Sequence, residues 1–196
     1  MEEKRRIIVG ISGASGTVYG IRLLETLRSC EEIETHLVIT GVAKKIIRHE
    51  NGLEPDDVLR LADQVYSIDA LGAAIASGSF LAEGMIIIPC SIKSLSGIAN
   101  SFNDNLLIKV ADVCLKERRK LLLVLRETPL HLGHLELMAR VTSYGAVILP
   151  PVPAFYHQPQ TVDDLIDHTI GKILDNFGIE HNLFRRWQGM EVDDDL

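Results

Sequence analysis

Two segments rich in glycine and serine have the residue types that bind phosphate groups. One is Gly10-Ile-Ser-Gly-Ala-Ser-Gly16 and the other is Pro89-Cys-Ser-Ile-Lys-Ser-Leu-Ser-Gly97, and each follows an apolar run. Glycine lets backbone amides approach an anion, Ser12 and Ser15 add hydroxyl donors, and a following helix offers the positive end of its dipole. The glycine spacing is neither G-x-G-x-x-G nor that of a P-loop. Both segments predict anion cradles, with a tight strand-to-helix turn and simple helix capping as the alternatives.

Cationic side chains cluster in the middle of an otherwise acidic sequence. The chain has a net charge of −7, yet lysine and arginine outnumber aspartate and glutamate between residues 104 and 126. Lys109 and Lys116 are two helical turns apart, so they share a helix face and repel one another unless an anion lies near. Arg126 and Glu127 follow an apolar run and point to opposite sides of the backbone, so one could bind charge while the other faces chemistry. The pattern predicts a small anionic ligand, with a solvated helix face or surface salt bridges as the alternatives.

A cysteine nucleophile and a metal centre are both disfavoured. Cys90 has no histidine at a recognisable spacing, which favours a packed small residue. His131 and His134 are close enough on a predicted helix to share a metal, but no further ligands follow in a recognisable pattern, so no metal is predicted. Phe155 and Tyr156 lie in a proline-stiffened loop, where we expect them to line a ligand pocket or a subunit interface.

The elements that position these residues alternate between strand and helix. Continuous apolar runs, typical of a parallel sheet covered on both faces, predict strands at 7–9, 35–39, 85–88 (closed by Pro89), 121–125 and 146–149. Helical periodicity and caps predict helices at 18–27, 42–49, 53–61, 106–117, 130–143 and 161–177. This order predicts a doubly wound α/β fold, in which a ligand binds beyond the carboxyl ends of the strands.

Length and composition indicate one domain over residues 1–196, with a core at about 6–187 and an acidic tail at 188–196. No apolar stretch approaches the roughly 20 residues of a membrane helix, and the charged opening leads straight into a strand. We therefore expect a cytoplasmic protein that is not inserted in a membrane. The acidity argues against general nucleic-acid binding. Three cysteines without a Cys-x-x-Cys pair exclude a disulfide framework and a cysteine zinc site.

Five motifs together resemble those of the UbiX-type flavin prenyltransferases, formerly labelled aromatic-acid decarboxylases. They are the two glycine- and serine-rich segments, Ala111-Asp-Val-Cys-Leu-Lys-Glu-Arg-Arg119, Arg126-Glu-Thr-Pro-Leu-His131 and the segment 145–160. The resemblance implies a flavodoxin-like (Rossmann-like) three-layer αβα protein that forms a homo-oligomer, with a dodecamer as one size. It also implies that the protein binds FMN and dimethylallyl phosphate and joins the dimethylallyl group to N5 and C6 of reduced FMN without a metal. The prenylated FMN would be delivered to a UbiD-type decarboxylase.

The resemblance further implies three groups of site residues. The FMN contacts are Gly13, Ala14, Ser15, Thr40, Ser91, Ile92, Lys93, Ser94 and Arg126. The contacts to the prenyl donor are Lys109, Lys116, Tyr156, Lys172, Arg186 and Trp187. The catalytic residues are Glu127 as the acid or base, Ser15 as a relay, Glu50 and Lys116.

Three positions differ from the usual pattern of that family. Thr40 replaces a serine and keeps the hydroxyl, whereas Lys109 and Lys172 replace arginines and supply a point charge without the bidentate fork. Two other functions stay open: an FMN-dependent decarboxylase of the cysteine-oxidising family, and a non-catalytic flavin carrier or accessory subunit of a decarboxylase. The former is disfavoured because the segment 90–93 lacks that family's asparagine-containing motif.

Overall fold

A computed structural model describes residues 4–189. The chain divides into two compact units, residues 1–151 and residues 152–196. The single domain predicted for residues 1–196 stays a prediction, and residues 190–196 of the predicted acidic tail lie outside the described residues. None of the helices within residues 4–189 is long and apolar enough to cross a lipid bilayer.

The first unit alternates strands and helices. Its strands are β1 (Arg5–Ile11), β2 (Ile33–Ile39), β3 (Gln64–Tyr66), β4 (Gly84–Cys90), β5 (Lys120–Leu125) and β6 (Val147–Ile148). Its helices are α1 (Thr17–Arg28), α2 (Gly41–Asn51), α3 (Pro55–Leu59), α4 (Ile92–Ala99), α5 (Leu106–Lys116) and α6 (Leu132–Ser143), with a 3-10 turn at Ala74–Ala76.

The strands form one parallel sheet. Within the described residues it has six strands in the order β3-β2-β1-β4-β5-β6. This is the order of a doubly wound Rossmann-type sheet, in which successive connections run in opposite directions from the centre and leave a crevice beside β1. The predicted doubly wound, flavodoxin-like α/β fold is confirmed.

Side chains of the central strands alternate between two buried faces of the sheet. Ile8 and Ile87 pack in one apolar cluster with residues of α4, α5 and α6. Val9 and Ile86 point to the opposite face, and both are 0% exposed. On α1, a Cβ added to Gly20 would lie 2.5 Å from a carbonyl oxygen of β4, so only glycine allows this helix to approach the sheet so closely. Both faces are therefore covered, as continuous apolar strands require.

Pro89 does not close β4, so this part of the sequence-based prediction is wrong. The strand continues to Cys90, and its pairing with β5 changes register between Ile87 and Cys90. Proline lacks an N–H group for the ladder, and the irregular register accommodates it at the end of the strand.

Other differences from the predicted elements are small and have local causes. β3 was not predicted, because a three-residue edge strand with two exposed positions has no apolar pattern. The helix predicted at 53–61 is limited to Pro55–Leu59. The helix predicted from residue 130 begins at Leu132, because His131 is its N-cap and accepts a hydrogen bond from the amide of Gly133.

The second unit contains helix α7 (Val162–Phe177). The helix begins with a capping box: Thr161 accepts a hydrogen bond from the amide of Asp164, whose carboxylate accepts one from the amide of Thr161. The helix ends at Gly178, which has a φ of 61°.

Candidate active site

A cavity of about 680 Å³ lies in the first unit, at the carboxyl ends of four strands. The residues that line it include Gly13 after β1, Thr40 after β2, Ser91 after β4 and Glu127 after β5. Its volume is in the usual range for small-molecule sites. We call it the strand-end cavity; its other lining residues are Gly41, Val42, Lys45, Ile68, Asp69, Ile92, Lys93, Ser94, Asp104, Asn105 and Ile108. The loops beyond several strands therefore converge on one cavity, as predicted, while the roles of the residues in it stay predictions.

Three helix N-termini line the strand-end cavity. Thr40 caps α2 and accepts from the amide of Ala43 at 3.2 Å, and Ser91 caps α4 and accepts from the amide of Ser94 at 3.3 Å. Asn105 caps α5 by accepting from the third amide of that helix at 3.1 Å. Each N-terminus carries partial positive charge on amides that the cap leaves free. The cavity therefore favours an anionic group such as a phosphate.

The strand-end cavity also has the apolar walls that a flavin ring requires. Val42, Ile68, Ile92 and Ile108 contribute aliphatic surface beside the polar N-caps. Gly13 lies close to this wall, since an added Cβ would lie 2.8 Å from Cγ1 and 2.9 Å from Cβ of Val42 and would force one of the two residues to shift. Apolar walls, hydroxyl groups and helix N-termini within one cavity fit FMN, which has a flat ring system and a phosphate.

Ser12 has a structural role, so the expectation that its hydroxyl faces a ligand is wrong. The side chain is 0% exposed. Its Oγ donates to the carbonyl oxygen of Pro89 at 2.9 Å and accepts from the amide of Ser91 at 2.8 Å. Ser12 therefore joins the loops after β1 and β4, which sets the position of two walls of the strand-end cavity.

Glu50 occupies the N-terminus of α1, where a phosphate was expected. The N-cap residue Gly16 supplies no side-chain cap. Instead, Oε2 of Glu50 accepts from the amides of Gly16 and Thr17 at 2.9 and 3.3 Å, and also from the hydroxyl of Thr17. Burial raises the pKa of this carboxyl, but hydrogen bonds from Ser15, Gly16 and Thr17 outweigh it, so the pKa lies below its usual value. Ser15 and Glu50, both predicted as catalytic, are therefore hydrogen-bonded neighbours, and α1 already binds a carboxylate.

Arg126 and Glu127 extend from the end of β5, and both side chains are exposed. The amide of Arg126 donates to the carbonyl of Cys90 at 3.1 Å, which continues the contact between β4 and β5. Glu127 lines the strand-end cavity, and its carboxylate accepts from the amide of Thr128 at 3.0 Å. Glu127 is thus a carboxylate at the edge of the candidate flavin site.

Lys109 and Lys116 each have a protein partner and do not line the strand-end cavity. The ammonium group of Lys109 donates to the carbonyl oxygen of Leu71 at 2.9 Å, and Lys116 forms an ion pair with Glu117. Their mutual repulsion therefore needs no bound anion to offset it in this structure. Their predicted role in binding the prenyl donor stays a prediction.

Cys90 is a packed residue, as predicted. It is 0% exposed, and burial raises the pKa of its thiol to about 12. A thiol with that pKa is protonated near neutral pH and is a poor nucleophile. No group of three or more potential metal ligands occurs among the residues that the structure describes.

In the second unit, a group of charged residues surrounds Asp175. Arg186 donates to both oxygens of this carboxylate, at 2.7 and 3.1 Å, while His181 and Lys172 lie 3.2 and 3.9 Å from it. The hydrogen bond from Arg186 is the main reason that the pKa of Asp175 lies below its usual value. Two of the predicted donor-binding residues, Lys172 and Arg186, therefore share one carboxylate.

The aromatic residues predicted to bind the donor lie beside a second cavity. Tyr156 and Trp187 line a space of about 200 Å³ within the second unit, together with Arg186. The rings of Tyr156 and Trp187 are 6.0 Å apart in an edge-to-face arrangement. Phe155, predicted to line a pocket or a subunit interface, is 70% exposed.

Several residues of these sites were not predicted from the sequence. Asn105 precedes an apolar helical run, which is a cap signal that could have located it. Lys45 and Asp69 carry no such signal, because their place in the strand-end cavity depends on how α2 and the loop after β3 pack. The same holds for Asp175, whose partners lie up to 11 residues away along the chain.

Comparisons with known proteins give one consistent family. The Flavoprotein family matches residues 1–176. Flavin prenyltransferase UbiX of Thauera aromatica is 58% identical over 186 residues, which cover 95% of this chain and 95% of the relative. The crystal structure of AnUbiX (PadA1), in complex with FMN and dimethylallyl pyrophosphate, is 48% identical with a TM-score of 0.94 and covers 96% of this chain and 100% of its own. The crystal structure of a dodecameric FMN-dependent UbiX-like decarboxylase from Escherichia coli O157:H7 is 47% identical with a TM-score of 0.92. The match covers 94% of this chain and 100% of the other.

Proposed function

The chain belongs to the UbiX-type flavin prenyltransferases, and from this membership we propose that it transfers a dimethylallyl group from dimethylallyl phosphate to reduced FMN. Bound reduced FMN supplies N5 and C6 as the atoms that accept the group. The observation that carries the proposal is the strand-end cavity, where three helix N-termini and the carboxylate of Glu127 meet.

FMN binding is assigned to the strand-end cavity. Thr40 and Ser91, with the helix N-termini that they cap, and the hydroxyl of Ser94 provide donors for the phosphate. Gly13 and Ile92 line the cavity and, with the neighbouring Ala14, would hold the ring system. The cation of Lys93 in the cavity wall and that of Arg126 after β5 would add positive charge. The cationic surroundings favour the nucleotide over an uncharged flavin.

Proton transfer is assigned to Glu127, after β5, and to Glu50 near the end of α2, with Ser15 in the loop after β1 as its neighbour. Glu127 lines the strand-end cavity and is suited to accept the proton that leaves C6. Ser15 donates a hydrogen bond to Glu50. Because hydrogen bonds keep Glu50 ionised, the hydroxyl hydrogen of Ser15 is oriented toward Glu50, and Ser15 would serve as the proton relay.

Binding of the prenyl donor is assigned to Lys109, Lys116, Tyr156, Lys172 and Arg186. Breaking the allylic C–O bond leaves negative charge on the departing phosphate, which cationic and phenolic donors stabilise more than they stabilise the substrate. The aromatic face of Trp187 suits the dimethylallyl group, since aromatic rings exclude water and stabilise developing positive charge.

Assembly into a homo-oligomer belongs to the same proposal, and a dodecamer is the size that a relative shows. Large apolar side chains are well exposed on the chain alone, among them Phe102 at 66%, Leu132 at 70% and Val162 at 70%. Such exposure is typical of subunit interfaces. We further propose that the chain delivers prenylated FMN to a UbiD-type decarboxylase in the cytoplasm, where its three unpaired cysteines would stay reduced.

The proposal is tested by incubating the full chain anaerobically with reduced FMN and dimethylallyl phosphate, followed by mass spectrometry of the released flavin. A flavin that is heavier by one prenyl unit is expected. A flavin of unchanged mass, with reversible reduction that does not depend on the donor, would instead identify a carrier. Replacing the monophosphate with dimethylallyl diphosphate in a parallel reaction identifies the preferred donor.

A further inference from the structure

His168 makes a direct hydrogen bond to Tyr156. Its Nε2 lies 2.7 Å from the phenolic oxygen, and the two rings meet edge to face with centroids 5.4 Å apart. His168 lies on α7 and is 7% exposed, whereas Tyr156 is 46% exposed and lines the second cavity. A buried imidazole therefore supports a phenol whose other side is open to a ligand.

Neighbouring rings fix the orientation of His168. The ring of His157 stacks on it with centroids 4.6 Å apart and an interplanar angle of 7°. The ring of Phe184 packs at 4.7 Å with an angle of 51°. Because the imidazole is held by these two rings, the direction of its Nε2 toward Tyr156 is set before any ligand binds.

The imidazole is neutral near neutral pH. Burial, together with the charges of His157 and Lys172, lowers the pKa of His168, while Asp175 acts in the opposite direction. A neutral imidazole has one N–H donor and one acceptor nitrogen, so its tautomer decides the direction of the bond to Tyr156. If Nε2 carries the hydrogen, the phenolic oxygen accepts from His168 and its own O–H remains free for another partner.

We propose that His168 is a positioning residue that donates from Nε2 to Tyr156 and thereby directs the phenolic O–H toward the phosphate of the prenyl donor. This inference rests on the proposed function, in which Tyr156 binds that phosphate. His168 itself does not contact the donor and acts through the phenol.

The first test compares variants of the full chain loaded with FMN, measuring kcat and KM for dimethylallyl phosphate. The substitution His168→Leu removes one hydrogen bond, and we expect KM to rise about tenfold. In His168→Gln the amide N–H reaches the same position, so we expect KM to stay within about twofold of the unmodified chain. FMN affinity is expected to be unchanged in both variants, since no part of the strand-end cavity is altered.

Two further measurements separate positioning from general structural support. In a Tyr156→Phe background, His168→Leu is expected to add no further increase in KM, because its effect passes through the phenolic oxygen. An equal increase in both backgrounds, or an unchanged KM in the single variant, overturns the proposal. If His168→Leu fails to fold, His168→Asn replaces it, since its shorter amide cannot reach the phenol.

The 15N shifts of His168 test the tautomer without reference to activity. We expect a proton on Nε2 of His168 at neutral pH. The chemical shift of the cross-peak of this N–H group is expected to change in Tyr156→Phe. A proton on Nδ1 alone would mean that Tyr156 donates to His168, which overturns the proposal even if the chain proves to be a prenyltransferase. A chain that prenylates no flavin but carries the Nε2 proton would instead reject the proposed function.

Discussion

Replacing Glu50 with glutamine tests whether the Glu50 carboxylate stabilises the N-terminus of α1. The carboxylate accepts from the amides of Gly16 and Thr17, and α1 has no side-chain cap of its own. Glutamine keeps one acceptor oxygen but loses the charge. Bonds to a charged group exceed neutral ones by about 1 kcal/mol, and the helix dipole adds about 0.3–1 kcal/mol. Because Glu50 is solvent-exposed, screening by water limits the sum of these two contributions. We therefore expect Glu50→Gln to lower the free energy of unfolding by about 1–2 kcal/mol.

The assay is thermal unfolding of the FMN-free protein. For a chain of this size the expected loss corresponds to a decrease in Tm of about 2–8 °C at neutral pH. The matched control is Glu54→Gln, which makes the same chemical change in an exposed ion pair with Arg48 and should alter the free energy of unfolding by less than about 0.5 kcal/mol.

The pH dependence gives a second check on Glu50. Its pKa is lowered in the folded chain, so the unfolded chain binds the proton more readily. The stabilisation is complete above the ordinary value of 4.5 and is lost as the pH falls through the lower folded value. The difference in Tm between the unmodified chain and Glu50→Gln should therefore become smaller in acid. Equal Tm values at neutral pH, or a difference that persists unchanged in acid, would show that the charge of Glu50 does not stabilise the N-terminus of α1.

Three further predictions address the flavin site and the core. Glu127→Gln should retain FMN affinity but slow flavin alkylation about 10²–10⁴-fold in single-turnover kinetics, and an unchanged rate removes Glu127 from proton transfer. Gly13→Ala places a Cβ 2.8 Å from Val42, so urea unfolding should show a free energy of unfolding that is lower by about 1–3 kcal/mol, and fluorescence titration should show weaker FMN binding. Unchanged values of both would contradict the close approach of Gly13 to Val42. Burial lowers the pKa of His36, so the unfolded chain takes up a proton at a higher pH than the folded chain, and the free energy of unfolding should decline as the pH falls below 6.5. His36→Leu should flatten that decline, and an unaltered pH profile of the free energy of unfolding would contradict this role of His36.

The sequence was sufficient to predict the sheet because its central strands are continuous apolar runs. Such runs require cover on both faces, and the residues of β1, β4 and β5 are buried almost throughout. β3 could not be predicted in this way, since only three residues pair at the sheet edge. Pro89 misled the prediction because a single proline is tolerated where the register of β4 and β5 changes.

The candidate site was predictable where a residue lies within two positions of the end of a strand. Thr40, Ser91 and Glu127 are such residues, since the carboxyl ends of parallel strands share one edge. The contact of Glu50 with Gly16 could not be predicted from spacing, because 34 residues separate the two and only the packing of α2 beside α1 brings them together. The same limit applies to His168, because nothing in the sequence distinguishes it from the other positions of α7.

A crystal structure of the full chain grown with FMN and dimethylallyl phosphate tests most directly whether the strand-end cavity binds the flavin. We expect the flavin in this cavity, with its phosphate at the N-termini capped by Thr40, Ser91 and Asn105 and with Glu127 beside the ring. A flavin bound elsewhere, or a phosphate at the α1 N-terminus in place of Glu50, would contradict this assignment.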